Sequence, residues 1–185
     1  CGAMHAHAGE RAKAHAFVER NRKAFGGKAD AILVTSSGCG QQLQESLGSP
    51  VFEASAFVAE HCQLPKLSTG SLRHTAFYIP CSQYTMQQAE SLRSLFSSIG
   101  DGAMHEISGL GCCGGAGMHM LTHPEMARDL ASPLVSRVRE LGINTLLTTN
   151  SGCSLHLGRS FSDAGLSVTV MHPLEWLQQQ IEAHS

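Results

Sequence analysis

The most constraining feature of this 185-residue sequence is that it repeats itself. Cys1-Gly2 aligns with Cys113-Gly114, and Ala3-Met4-His5 with Gly117-Met118-His119 after a small gain in the second copy. Further on, each copy runs an apolar stretch into Ser-Gly-Cys, residues 31–39 against 145–153, and then into a second apolar block, 51–58 against 170–177. Three matched blocks in one order mean that a single supersecondary unit is used twice. Each unit must bury an apolar strand whose end leads into a cysteine.

The front of the unit is present only in the second copy, where residues 75–81 and Cys112 precede Cys113. The first copy begins at what is the second cysteine of that pair, with no initiator Met, so the chain is expected to start in mid-domain. The organisation expected is a truncated first unit over 1–62, a connector over 63–72 carrying Pro65, Ser68, Gly70 and Ser71, and a complete unit over 73–185.

Within the complete unit, residues 75–80 read as a buried strand ending at Pro80-Cys81. Residues 82–97 read as a helix with Met86, Ala89, Leu92 and Leu95 on one face. A short strand over 105–107 leads into the Gly-rich segment 109–115. Thr122 and Pro124 open a helix whose apolar face is Ala127, Leu130, Leu134, Val138 and Leu141, with a kink or restart at Pro133. A strand over 145–149, a short helix after Cys153, a strand over 167–171 and a helix over 173–183 complete the order. Such alternation predicts an α/β fold with a mainly parallel sheet.

Charge and hydropathy narrow the function. With 13 Lys+Arg against 15 Asp+Glu and no basic cluster, nucleic acid is not an expected partner. Apolar runs fall well short of the roughly 18 residues of a membrane span, and no charged-then-apolar leader opens the chain. Seven cysteines, an odd count and a fraction below the roughly 8–10% of disulfide scaffolds, are expected to be reduced thiols.

Cys81, the adjacent pair Cys112-Cys113, and Cys153 all fall where a strand ends. In an open α/β sheet those ends share one edge, so four sulfurs distant in sequence can converge. Glycines at 111, 114, 115 and 152 fit backbone passing close to a bulky group and donating N–H bonds to it. Two metal chemistries take four thiolates. Structural zinc usually draws them from close C-x(2–4)-C knuckles, which this chain lacks, and adjacent cysteines reach two irons of a cluster more easily than two corners of one tetrahedral ion. The spacing therefore favours an iron–sulfur cluster.

The arrangement Cys81, Cys112-Cys113, Cys153 resembles the cysteine-rich CCG domain. That domain occurs twice in a subunit of heterodisulfide reductase and in iron–sulfur subunits of bacterial glycolate oxidase, of a lactate-oxidation complex and of anaerobic glycerol-3-phosphate dehydrogenase. The segment 150–157, followed by 170–176, looks most like the glycolate oxidase subunit, and residues 1–7 resemble that subunit's first CCG domain. The resemblance implies a [4Fe–4S]-type cluster on Cys81, Cys112, Cys113 and Cys153, with His156, Cys1 and Cys39 as weaker candidates. It also implies an electron relay that does not catalyse alone, with a flavin-containing (FAD) catalytic subunit as partner, a membrane quinone or other acceptor, and a cytoplasmic place peripheral to the inner face of the cell membrane. His156 stands where heterodisulfide reductase has the last cysteine of C-x-x-C, and Gln42 stands there in the first copy, so a five-thiolate non-cubane cluster is not the expected form. The first-copy half-site, with Cys1 and Cys39 alone, is expected to bind metal poorly.

Three plainer expectations accompany these. Cys62 lies outside both repeat blocks and reads as a buried hydrophobe. His5, His7, His119 and His123 read as surface or hydrogen-bonded histidines, and Trp176 as core. A metal-free thiol–disulfide redox protein and a structural assembly domain stand as alternatives to the cluster.

Overall fold

The computed structural model describes residues 1–27, 29–67, 72–100, 104–107 and 109–183. Part of the expected connector, 68–71, lies outside the described residues.

In chain order the elements are α1 (Ala3–His7), α2 (Arg11–Phe25), β1 (Ile32–Val34), α3 (Ser37–Ser46), β2 (Val51–Glu53), α4 (Ala54–His61), β3 (Thr75–Phe77), α5 (Cys81–Thr85) and α6 (Ala89–Gly100). They continue with β4 (His105–Glu106), α7 (His119–Thr122), α8 (Pro124–Glu140), β5 (Thr145–Leu147), α9 (Ser151–Asp163), β6 (Thr169–Met171) and α10 (Pro173–Ala183). The α/β class holds, with every described strand pair parallel: β1 with β2, and a four-stranded sheet in the order β4-β3-β5-β6.

Alternation along the strands sends successive residues to opposite faces of the larger sheet. Phe77 and Leu147 join Leu92, Leu95, Phe96 and Ile99 of α6 and Trp176 and Leu177 of α10. Their neighbours Ala76 and Leu146 join Ala131, Leu134 and Val138 of α8 and Leu157 and Phe161 of α9. The sheet is thus sealed on both sides, as a parallel sheet must be, and Trp176 is core as expected. The smaller sheet packs under α3 through Ile32, Leu43, Leu47 and Val51, where Met86 of the other unit joins them.

The matched blocks of the two copies keep one register. Ile32 pairs with Val51 as Leu146 pairs with Val170, and Leu33 with Phe52 as Leu147 with Met171.

Three helix expectations are corrected, the first being the short helix after Cys153, which instead starts at Ser151 under the Asn150 cap and runs 13 residues as α9. The single helix over 82–97 is two, α5 and α6, separated at Gln87, which takes a positive φ of 60°. Long-range contacts override the local periodicity here. Met86 is drawn into the core of the first unit, and Gln88 accepts from Glu53 N at 2.9 Å and donates to Val51 O at 3.0 Å. At Pro133 no break occurs, and α8 runs through it. Pro133 lies on the exposed side, where the carbonyl it leaves unpaired faces water, while Ala127, Ala131, Leu134 and Val138 hold the inner face.

Gln88→Ala strands a buried N–H and a buried carbonyl at once. Urea unfolding should register a loss of about 2–4 kcal/mol, from roughly 1–3 kcal/mol per orphaned group.

Candidate metal centre

Cys81, Cys112, Cys113 and Cys153 are each delivered by the carboxyl end of a strand. Cys81 opens α5 just past β3, Cys112 and Cys113 sit in the loop after β4, and Cys153 lies in the first turn of α9, just past β5. The first turn of α9 is set by Asn150, whose Oδ1 accepts from Gly152 N at 2.9 Å and Cys153 N at 3.3 Å. This is the side-chain cap expected of Asn at such a position.

Glycine lets the loops meet. A Cβ on Gly115 would stand 2.6 Å from the Gly152 carbonyl oxygen, and one on Gly152 would stand 2.7 Å from that of Gly115. Gly114, with φ +84°, turns the chain between them, and a Cβ there would lie 2.4 Å from Ala127 O. No other residue permits this backbone approach.

The four sulfurs form a run of contacts: Cys81 with Cys112, Cys112 with Cys113, and Cys113 with Cys153, the last at 2.7 Å. Gly114 N donates to the Cys112 sulfur and Gly115 N to that of Cys113, each at 3.4 Å. Hydrogen-bonding contact with the Cys113 and Cys81 sulfurs, with the Gly114 N–H, pushes the Cys112 thiol down to about 2. Cys81 is pushed up by its hydrogen bond to Cys112 and by burial, and Cys113 by its bonds to Cys112 and Cys153 and by burial. One thiolate, on Cys112, is thus held by neutral neighbours. The Tyr78 hydroxyl donates to Gly111 O at 3.1 Å and is itself pushed up by burial and then by the cysteine charges.

Cys1 and Cys39 of the first copy arrive at the same place, their sulfurs 2.8 Å apart. Six of the seven cysteines line one cavity of about 250 Å³, together with Ser82, Asn150, His7, Met120 and Leu155 among others. His156 does not line it, since its Nε2 donates to Ala127 O at 3.0 Å on the far side of the loop. Cys62 is corrected from buried to exposed, because it follows the last turn of α4, where the chain leaves the core. His5 bonds Glu10 and stacks on Phe17, and His119 stacks on His123. The sequence reading does not assign Tyr78, Ser82 or Asn150 to the site. Of these, Asn150 alone carries a readable signal, an Asn-Ser-Gly helix opening.

Among the described residues no three His, Cys, Asp or Glu side chains frame a site for a single metal ion. A cluster suits the donor set better: soft thiolates, N–H groups aimed at sulfur, bare glycine backbone and a mostly apolar cavity into which the sulfurs can part.

Comparison with known proteins adds a family and three relatives. The profile of the cysteine-rich domain CCG matches residues 1–44 and 75–158. A subunit of the fumarate reductase (CoM/CoB) of Methanothermobacter marburgensis is 29% identical over 185 residues, covering 96% of this chain and 37% of that protein. The glycolate oxidase iron-sulfur subunit of Escherichia coli is 28% identical over 205 residues, covering 98% and 48%. A probable glycolate oxidase iron-sulfur subunit of Bacillus subtilis is 25% identical over 187 residues, covering 90% and 42%. The chain therefore spans less than half the length of these curated relatives.

Two outcomes check the geometry. In the reduced, metal-free chain, iodoacetamide at about pH 5.5 should modify Cys112 well ahead of Cys81 and Cys113, read by peptide mass spectrometry with exposed Cys62 as reference, because only a thiolate reacts. Gly115→Ala should lower stability by about 1–3 kcal/mol through forced separation of the two loops, measured by thermal unfolding beside an exposed control such as Gly48→Ala, which stands in open space without a positive φ.

Proposed function

The chain belongs to the cysteine-rich CCG domain family, and on that premise we propose that it is the cluster-bearing part of an iron–sulfur electron-transfer subunit. The observation that carries this reading is the convergence of Cys81, Cys112, Cys113 and Cys153 on one cavity with backbone N–H groups directed at their sulfurs. Those four residues would hold a [4Fe–4S]-type cluster, which when bound supplies a one-electron carrier. The chain's own contribution is to keep the ligands in a largely apolar enclosure, to donate N–H bonds that set the potential, and to keep Tyr78 as a neutral donor beneath the loop.

The names of the relatives support placing the relay in a multisubunit oxidoreductase of the glycolate-oxidising kind. In that setting electrons from two-electron oxidation of a 2-hydroxy acid on a flavin-bearing partner pass through the cluster to a quinone or other acceptor. Peripheral association at the inner face of the cell membrane is part of this proposal; no helix among the described residues is long and apolar enough to cross a membrane. The substrate chemistry belongs to the partner, and this chain relays.

A second reading is favoured by one observation. The sulfurs of Cys113–Cys153 and of Cys1–Cys39 are in contact as free thiols, the arrangement a metal-free dithiol shuttle would use.

Anaerobic reconstitution separates the two. The relay reading expects about four irons and four acid-labile sulfides per chain, with loss of both in the Cys112→Ser, Cys113→Ser double variant. A folded wild-type chain that takes up no iron but cycles two thiols reversibly would establish the shuttle instead.

A further inference from the structure

Behind the cysteine cavity runs a chain of buried side chains that the ligand set does not explain. It starts at Glu53, which has no exposure to solvent. The Glu53 carboxylate accepts from Ser55 N at 3.0 Å, Ala56 N at 3.3 Å, the Ser55 hydroxyl at 3.3 Å, Gln83 Nε2 at 3.4 Å and His172 Nε2 at 2.9 Å. His172 accepts the Leu174 N–H at Nδ1, which puts its own proton on Nε2.

An acceptor so surrounded dictates how Gln83 faces. Its NH2 turns to Glu53 and also donates to Thr149 Oγ1 at 2.9 Å, while its Oε1 is left buried without a partner. From Thr149 onward each hydroxyl has one proton to give. Thr149 gives its proton to Ser37 at 3.3 Å, and Ser37 Oγ lies 2.7 Å from Ser82 Oγ. Ser82 Oγ also accepts from Asn150 Nδ2 at 3.1 Å.

The sense of the Ser37–Ser82 bond decides where the last proton goes. Ser37 is wholly buried, and its hydroxyl meets only Thr149 and Ser82 among the described residues. If Ser82 donated to Ser37, the Ser37 proton would be sealed in the interior with no acceptor, which native interiors avoid. With Ser37 donating to Ser82, every interior proton is used and the one left over is on Ser82. That residue lines the cavity beside Cys81.

We infer that the Ser82 hydroxyl is a hydrogen-bond donor into the cavity, aimed at the sulfur of the cluster by the relay Glu53, Gln83, Thr149 and Ser37; this rests on the cluster reading above. Ser82 touches the cofactor, and the other four are positioning residues. A donor to cluster sulfur favours the more negative, reduced state and raises the potential. Glu53 and His172 occupy matched places in the two copies, so the relay takes its origin at the junction of the units and ends at the site.

The test uses the reconstituted chain and reads iron and sulfide content first, then the midpoint potential by spectroscopically monitored reductive titration, then exchangeable protons at the reduced cluster by electron–nuclear double resonance. Ser82→Ala is expected to keep a full cluster, to weaken reduction about tenfold, a fall of ~59 mV for one electron, and to lose one exchangeable-proton coupling. Ser82→Thr should restore both. Should Ser82→Ala not fold, Thr149→Val reads the same relay one bond further back, with a shift of the same sign. A loaded Ser82→Ala, or a loaded Thr149→Val where the first does not fold, whose potential and proton couplings equal those of wild type would overturn the inference while leaving the cluster reading intact. A wild-type chain that binds no iron would remove both.

Discussion

Parallel pairing is what makes one site out of residues scattered along the chain. Because β3, β4 and β5 run the same way in adjacent positions, their carboxyl ends open on one edge, and the cysteines that follow each strand meet there without any of the three segments being near another in sequence. The same pairing forces the loop after β4 and the start of α9 into contact. Only backbone without side chains tolerates that distance, so Gly115 and Gly152 follow from the topology as much as from the chemistry. Both effects would fail in an antiparallel sheet, whose ends alternate between edges.

The two units close on each other through divergence at matched places. In the repeat alignment Glu53 corresponds to His172, and Ser36 to Asn150. Glu53 and His172 touch at 2.9 Å, Ser36 meets Ser151 at 3.1 Å, and Ser37 N donates to Thr149 O at 2.8 Å. A faithful duplication would bring two carboxylates or two imidazoles together inside the protein, and a like pair in low dielectric is costly. An acceptor in one copy and a donor in the other turns the same position into a hydrogen bond. Residues 1–62 therefore supply one wall of the cavity and the anchor of the polar chain behind it.

Much of this is legible from sequence, and the limits have physical causes. The α/β order, the strands at 75 and 145, and helix 173–183 follow from local periodicity and turn chemistry, which the tertiary structure leaves undisturbed. The single helix over 82–97 gives way because Met86 and Gln88 answer to the first unit, and no window of local sequence contains that partner. Pro133 reads as a break only if its face is unknown; once the inner face is fixed by Ala131 and Leu134, the lost bond falls on water. Spacing can nominate Cys81, Cys112, Cys113 and Cys153. It cannot show that Cys1 and Cys39 share their cavity, nor that His156 spends its Nε2 on Ala127. Ser82, Thr149 and Ser37 are ordinary small polar residues in sequence, and their part becomes visible only when the number of protons and acceptors in the interior is counted.

Charge imposes the last constraint. Thiols this close cannot all ionise in a poorly solvated enclosure, and without metal the site accordingly concentrates negative charge on Cys112 while Cys81 and Cys113 keep their protons. A cofactor that needs every one of these sulfurs as thiolate must displace those protons, so its binding strengthens as pH rises and depends on cationic iron to offset the charge it creates. Tyr78, driven toward its neutral form by burial and by the same sulfurs, adds no further charge and continues to donate to Gly111. The enclosure that keeps Cys81 and Cys113 protonated is thus the same one that lets each N–H and O–H donor around the cavity act strongly on a bound cluster.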